Sequence, residues 1–498
     1  MGGSLADRFE EVVAASPDAE AVVVDEVRLS YAELDERADR MSRVLARRGI
    51  GPGDRVGILL GNTNEHLEVL LACFKQRAVA VNLNTRFVAD ELADLLRHSR
   101  TALVVHEEDL GSLLPSGVDR LARGQAYESA LAGVDPAPRR DDRSGDDEYV
   151  LYTGGTTGRP KGALWRHADL HVAALAGHVD LGARRVYVAC PLFHGTGQWM
   201  ALAALLAGGT VVTSRRRSID PAAIWDEAQA ERVSHLVLVG DSYAGPLVDA
   251  LEREPDRWAH PDLTVFLSGG AVLSPAVTSR LLVCLPDAMV VDGYGASETG
   301  GQARVITVAG SRSPASGRPC FRVTEDTAIL DDDLRPLARG DETEGWLARR
   351  GALPIGYDGD PDATARAFPV VDGVRWAVPG DRARWVATDR IEILGRGALT
   401  INTGGEKVHP EEVEAVLRSH GSVADVVVVG SPDARWGEVV TALVAPAPGE
   451  APTLDELDAH CRRSLAGFKV PRRLVLVDEV RRSAAGKPDY RWARAEAG

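Results

Sequence analysis

The sequence predicts an α/β protein, a large multi-subdomain N-terminal domain followed by a small α/β domain. Three observations carry this. The 498 residues, 45% of them hydrophobic, are enough to fill more than one compact core. Short apolar runs, Val56-Gly-Ile-Leu-Leu60, Ala102-Leu-Val-Val105, Leu236-Val-Leu-Val239 and Ala288-Met-Val-Val291, alternate with segments of helical period, as buried parallel strands do with their crossover helices. Beyond residue 396 a separate series of helix and strand signals begins.

Taken in order, the first helix that reads clearly opens on a capping box, Ser30 with Glu33. Leu34, Ala38, Met41 and Leu45 then recur at helical spacing and mark its core face. Between Val134 and Asp147 the sequence turns to Pro, Arg and Asp and reads as a charged surface loop before the apolar Tyr149-Val150-Leu151 strand. In the second series, Pro410 opens a helix with Glu411, Glu412 and Glu414 near its start. Strands follow at 426–429 and 439–444, then a helix over 454–465 and a strand at 474–477. The expected domains are therefore residues 1–396 and 397–498.

Charge excludes several partners. With 57 Lys+Arg against 73 Asp+Glu the net charge is -16, which opposes sequence-independent binding to nucleic acid or an anionic membrane. No apolar run is long enough to span a bilayer, and the N-terminus has no export signal, so a cytoplasmic protein is expected. Ala6 stands where an N-myristoylation signal needs Ser or Thr. The five cysteines are scattered without a CxxC pair, so neither a disulfide framework nor a zinc site is expected.

One segment carries chemistry. Directly after the strand ending at Tyr152 comes Thr153-Gly-Gly-Thr-Thr-Gly-Arg-Pro-Lys-Gly162. Its glycines, Gly154, Gly155 and Gly158, let backbone N–H groups converge on an anion, Thr153, Thr156 and Thr157 add hydroxyl donors, and Lys161 adds charge. It is a phosphate-binding loop without the Walker A order.

This loop resembles the signature of the adenylate-forming superfamily, which includes acyl-CoA synthetases, free-standing adenylation domains and luciferases. Further matches follow in that family's order: Pro191-Leu-Phe-His194, Ser268-Gly-Gly-Ala271, Asp292-Gly-Tyr-Gly-Ala-Ser-Glu298, Gly380-Asp381, Gly395-Arg396, Gly404-Gly-Glu406 and Gly486-Lys487. The resemblance runs from about residue 30 to 490. It implies an AMP-forming acyl-CoA ligase that uses ATP, Mg²⁺ and coenzyme A, with a C-terminal domain that moves between the two half-reactions.

The resemblance also implies roles. Lys487 is the catalytic lysine between carboxylate and α-phosphate. There one unit charge pair at 4 Å is worth about 4 kcal/mol at an effective dielectric of 20. Glu298 holds Mg²⁺, with Ser297 in front of it where the family usually has Thr. Tyr294 packs on adenine; Gly269, Gly270 and Ala271, with Asp292, Gly293, Gly295 and Ala296, line the nucleotide. Asp381 accepts the ribose hydroxyls, and Arg396 contacts ribose or phosphate. His194 lies near the reacting carboxyl; with Gln198, Trp199, Gly269 and Gly295 it is a candidate for the acyl pocket. Gly404, Gly405 and Glu406 form the CoA face. At the hinge position, usually polar, stands Ala398, which leaves the balance between the half-reactions open.

Tyr152-Thr-Gly-Gly-Thr-Thr-Gly, Trp165-Arg-His-Ala-Asp-Leu170, Ile401-Asn-Thr-Gly-Gly-Glu-Lys407 and Gly486-Lys-Pro-Asp-Tyr-Arg-Trp492 resemble the bacterial ligases of fatty, steroid-derived or other polycyclic acids. A bulky hydrophobic acid is the expected substrate. A ligase in which one half-reaction dominates, such as thioesterification of a supplied acyl-adenylate, and a stand-alone enzyme that loads a carrier protein are the alternatives. A homodimer is an open expectation, as symmetric dimers are common among such enzymes.

Overall fold

The computed structural model describes residues 3–153, 161–177, 184–260, 262–271, 273–311, 319–396, 399, 401–403, 406–433, 436–465, 467–482 and 488–498. Those within Met1–Thr153, Arg159–Arg312 and Gly351–Phe368 form one compact unit, and those within Ser313–Arg350 and Pro369–Gly498 form another.

Two sheets organise the first unit. In one, the strands Met289–Ala296, Val265–Gly269, His235–Leu238, Arg185–Val188, Thr210–Thr213 and Glu20–Val24 lie side by side in that order, all parallel. Gly300–Val308 and Val27–Ser30 flank the two ends antiparallel. In the other, Arg55–Leu59 runs parallel between Val79–Asn82 and Thr101–His106. Beyond Val79–Asn82 come Glu148–Thr153, the antiparallel Lys161–Arg166 and the two-residue strand Gly356–Tyr357. Every residue of Arg55–Leu59 is buried, which is why the strand reads as an apolar run from Val56 onward.

The helix Asn64–Gln76 is buried along its whole length and touches strands of both sheets. Its charged residues are there because partners meet them. Glu68 receives Arg37 at 2.7 Å, Tyr127 at 2.8 Å and Asn64 at 2.8 Å. Burial works against the Lys75 ammonium, but Asp35 at 2.6 Å and Asp39 at 2.8 Å outweigh it and raise its pKa. The predicted capping box is present: Ser30 and Glu33 close the start of Tyr31–Arg47, and Leu34, Ala38, Met41 and Leu45 are fully buried.

The charged connection before Glu148 is only partly a surface loop. Arg143 reaches inward to Glu10 Oε1 at 2.6 Å and to the Lys75 carbonyl at 3.2 Å, and Asp147 is buried and paired with Arg77. A run of unlike charges cannot tell in advance which of them find buried partners.

In the second unit, Thr327–Leu330, Gly345–Arg349, Asp381–Ala387, Arg390–Arg396 and Cys320–Val323 form an antiparallel sheet in that order. A further sheet joins Glu406–Val408, Ile401–Thr403, Gly437–Pro446 and Val423–Asp433, with Arg473–Leu476 parallel to Gly437–Pro446. The predicted helix at Pro410 runs to Arg418, its face formed by Val413 and Leu417 against Val426, Val428 and Val440. Its Glu414 is buried and accepts the Val428 N–H at 2.9 Å. The helix read over 454–465 ends at Cys461, where Arg462 caps it and the Leu465 N–H still bonds the Cys461 carbonyl.

Candidate active site

The expected site residues of the first unit gather at the C-terminal ends of its parallel strands, the edge at which open α/β sheets bind ligands. Thr153 ends its strand and pairs in register with Lys161, which begins the next. Gly162 lacks a Cβ because the Tyr152 ring lies where one would stand, 2.7 Å away. The Lys161 ammonium sits 5.2 Å from the centre of the Tyr357 ring. The Tyr357 hydroxyl donates to Glu298 Oε1 at 2.5 Å.

Glu298 rides on a tight turn. The Ala296 N–H bonds the Thr299 hydroxyl at 3.0 Å, and the Thr299 N–H bonds the Ala296 carbonyl at 3.0 Å. The Trp165 indole donates to the Ser297 carbonyl at 2.9 Å, and Gly300 takes a left-handed φ of 66°. Among the described residues no group of three or more His, Cys, Asp or Glu side chains converges. A Mg²⁺ ion beside Glu298 would therefore complete its shell with phosphate oxygens and water, the donor set this ion favours.

Tyr294 is half-buried on Met289–Ala296, two residues beyond the buried Asp292. Burial pushes the Asp292 carboxyl up to about 8; Asp241 adds to the rise and a hydrogen bond with Ser268 opposes it. Gly269 and Gly293 are register partners, and a Cβ on Gly269 would stand 3.3 Å from the Gly293 carbonyl. Gly270 has φ 84°, and its Cβ would meet the Thr196 hydroxyl at 2.9 Å. Ala271 is partly buried against the core.

His194 is the N-cap of Gly195–Leu206, its ring tilted against that of Phe193 with centres 4.7 Å apart. Two asparagines hold this corner. Asn82 donates to the carbonyls of Phe193 at 2.6 Å and Tyr152 at 3.0 Å, and Asn62 accepts the Leu192 N–H at 2.8 Å. Gln198 and Trp199 face the core: Gln198 bonds Tyr149, His66 and the Leu192 carbonyl, and the Trp199 indole donates to Tyr149 at 3.1 Å.

In the second unit Asp381 and Arg396 are cross-strand partners, and Asp381 is 8% exposed. Glu406 begins its strand opposite Thr403. Gly154, Gly155, Thr156, Thr157, Gly158, Ala398, Gly404, Gly405 and Lys487 lie outside the described residues.

Sequence reading passed over Tyr357, Asp358 and Asn82. Asp358 is buried with Arg55 at 2.9 Å and accepts the Tyr152 hydroxyl at 2.6 Å. Burial, then Asp358 itself, raises the Tyr152 pKa well above the usual phenol value and keeps it a donor. The one available signal was a charged residue, Arg55, opening an otherwise apolar strand.

Chemically, the first unit brings the Lys161 ammonium and the Glu298 carboxylate to one ring, that of Tyr357, and crowds glycines at the ends of two neighbouring strands. Such an arrangement suits a nucleotide triphosphate.

The comparisons with known proteins agree with this reading. The AMP-binding enzyme family model matches residues 9–355, and the model of the AMP-binding enzyme C-terminal domain matches residues 412–487. The 3-oxocholest-4-en-26-oate–CoA ligase of Rhodococcus rhodochrous is 38% identical, over 100% of this chain and 96% of that protein. The medium/long-chain-fatty-acid–CoA/3-oxocholest-4-en-26-oate–CoA ligase of Mycobacterium marinum is 37% identical over 99% and 96%. Among solved structures, ATP-bound MatB from Rhodopseudomonas palustris superposes with a TM-score of 0.83 at 26% identity, covering 98% of each chain. The anthranilate CoA ligase AuaEII in complex with anthranoyl-AMP shares the fold, with a TM-score of 0.88 at 20% identity over 99% of this chain and 97% of that one. With a large adenylate-forming N-terminal domain, a smaller C-terminal domain and full-length likeness to CoA ligases, this chain belongs to the AMP-binding enzyme family and is an AMP-forming acyl-CoA ligase.

Proposed function

We propose that the acid this ligase activates is bulky, hydrophobic and polycyclic, of the steroid-side-chain or terpenoid type. The observation that carries this is the full-length likeness to two ligases named for 3-oxocholest-4-en-26-oate.

In the reaction, one carboxylate oxygen attacks the α-phosphorus of ATP and the bond to the β-bridging oxygen breaks, releasing pyrophosphate. The thiol of coenzyme A then attacks the acyl carbon, and AMP leaves with the attacking oxygen. Lys487 offsets the charge of the first approach; Lys161 and the loop from Thr153 to Gly158 hold the phosphates; Glu298 holds Mg²⁺. Tyr294, with Gly269, Gly270, Ala271, Asp292, Gly293, Gly295, Ala296 and Ser297, seats the adenosine, and Asp381 and Arg396 take the ribose. Gly404, Gly405 and Glu406 pass the pantetheine arm. The mobile domain starts at 397, with Ala398 as its hinge. A cytoplasmic homodimer completes the reading.

Ala398 favours a second reading, in which the hinge lacks the polar contacts that bias domain orientation and one half-reaction dominates. The experiment is a panel of fatty, aromatic, steroid and terpenoid acids with ATP, Mg²⁺ and coenzyme A, with AMP and acyl-CoA followed by mass spectrometry. The first reading expects AMP in step with one polycyclic acyl-CoA, and neither with Lys487→Ala. Turnover of short fatty acids alone would refute it. Conversion of supplied acyl-adenylate without turnover of the free acid would establish the second.

A further inference from the structure

We propose that Tyr357 is a positioning residue that holds Glu298 and Lys161 apart, so that the carboxylate meets the divalent cation and the ammonium meets phosphate rather than each other. This rests on the reading that Glu298 holds the metal of Mg·ATP.

One ring serves two opposite charges. Its hydroxyl donates to Glu298 Oε1 at 2.5 Å, and its π face lies under Lys161 Nζ at 5.2 Å. Among the described residues Lys161 pairs with no carboxylate and Glu298 with no cation. Two such charges beside the same ring would close on each other if the ring were absent, and that pair would have to open before ligand entered.

The ring's own place is over-determined. The Tyr357 N–H donates to the Thr364 hydroxyl at 2.8 Å, and the Phe368 ring packs edge-on with centres 5.7 Å apart. Tyr357 is the register partner of Ala163, two residues from Lys161. The next residue locks the register: the Asp358 N–H donates to the Gly162 carbonyl at 2.8 Å, and its buried carboxylate is held by Arg55 and Tyr152. The turn that bears Glu298 is pinned independently by the Trp165 indole. The hydroxyl of Tyr357 is thus a fixed point from which a metal-binding carboxylate takes its orientation, the role hydrogen-bond partners of metal ligands commonly play.

The test is calorimetric titration of the full-length protein with ATP, with and without Mg²⁺, for the wild type, Tyr357→Phe, Tyr357→Leu and Glu298→Gln. Tyr357→Phe keeps the ring and its packing. It should bind metal-free ATP like the wild type, while the tightening produced by Mg²⁺ shrinks about tenfold. Tyr357→Leu should also weaken metal-free ATP several-fold, as Lys161 loses its seat. A wild-type Mg²⁺ effect in Tyr357→Phe, or equal losses with and without metal, overturns the proposal. Glu298→Gln separates the two layers. If it abolishes the Mg²⁺ effect while Tyr357→Phe keeps it, the role of Tyr357 alone fails; if Glu298→Gln keeps the full effect, the metal reading fails and takes the proposal with it.

Discussion

Gly295→Ala is the substitution for which the structure gives the sharpest expectation. A Cβ at position 295 points at the neighbouring strand, where it would overlap the Gly300 carbonyl oxygen and stand 3.0 Å from the Gly300 carbonyl carbon and 3.3 Å from the Gly301 Cα. Gly300 has little room to retreat, because its own Cβ direction is already filled by the Ala173 backbone. The two strands must part by about 1 Å, an overpacking strain of about 1–3 kcal/mol. The register pairs Gly295–Gly301 and Ala296–Gly300 loosen with them, at about 1 kcal/mol each. A loss of about 4 kcal/mol is expected, lowering the melting temperature by about 4–6 °C for a chain of this size. Because Tyr294 and Glu298 sit on either side of this point, a displacement of that size should also slow adenylate formation about a hundredfold. Pyrophosphate exchange into ATP and thermal denaturation read the two effects. Gly269→Ala is the control for stability, since its Cβ would stand 3.3 Å from the Gly293 carbonyl and 3.9 Å from Thr196 and should cost less than about 1 kcal/mol. A Gly295→Ala enzyme with wild-type exchange and melting, or one milder than Gly269→Ala, would refute the packing argument.

Two further expectations are of stability. Asp358→Ala strands the buried Arg55 guanidinium and should cost about 3–5 kcal/mol in thermal denaturation, whereas the double change Arg55→Met, Asp358→Leu should recover most of it. Asp292 titrates higher in the folded chain than in the unfolded one, so the fold binds the extra proton between about pH 4 and 8. Its contribution is whole below pH 4 and declines by about 1.4 kcal/mol per pH unit up to 8; Asp292→Asn should flatten that slope and raise the melting temperature at pH 8.

What could be read from the sequence was local. The Ser30–Glu33 box could be read because capping is a four-residue device, and the family could be read because its motifs, the Gly/Thr-rich loop first among them, are each short runs of adjacent residues. The buried strands show as apolar runs because both faces are covered. Tyr357 and Asp358 did not show, as their partners come from afar: Tyr152 and Asp358 are 206 residues apart in the chain. At Gln198 and Trp199, expected from their position beside His194 to line the acyl pocket, the sequence did not show the partners of their polar groups: Tyr149, His66 and the Leu192 carbonyl. Gly295, expected beside the nucleotide and the acyl pocket, has a further reason to be glycine that the sequence did not show: the adjacent strand fills the direction of its missing Cβ.

The most direct test of the central claim, that the acid is activated by attack on the α-phosphorus, uses the acid turned over in the panel with its carboxyl group labelled with ¹⁸O. Mass spectrometry of the products should find one labelled oxygen in AMP, one in the acyl-CoA and none in pyrophosphate. Label in pyrophosphate or in free phosphate, or unlabelled AMP accompanying acyl-CoA, would contradict the acyl-adenylate route.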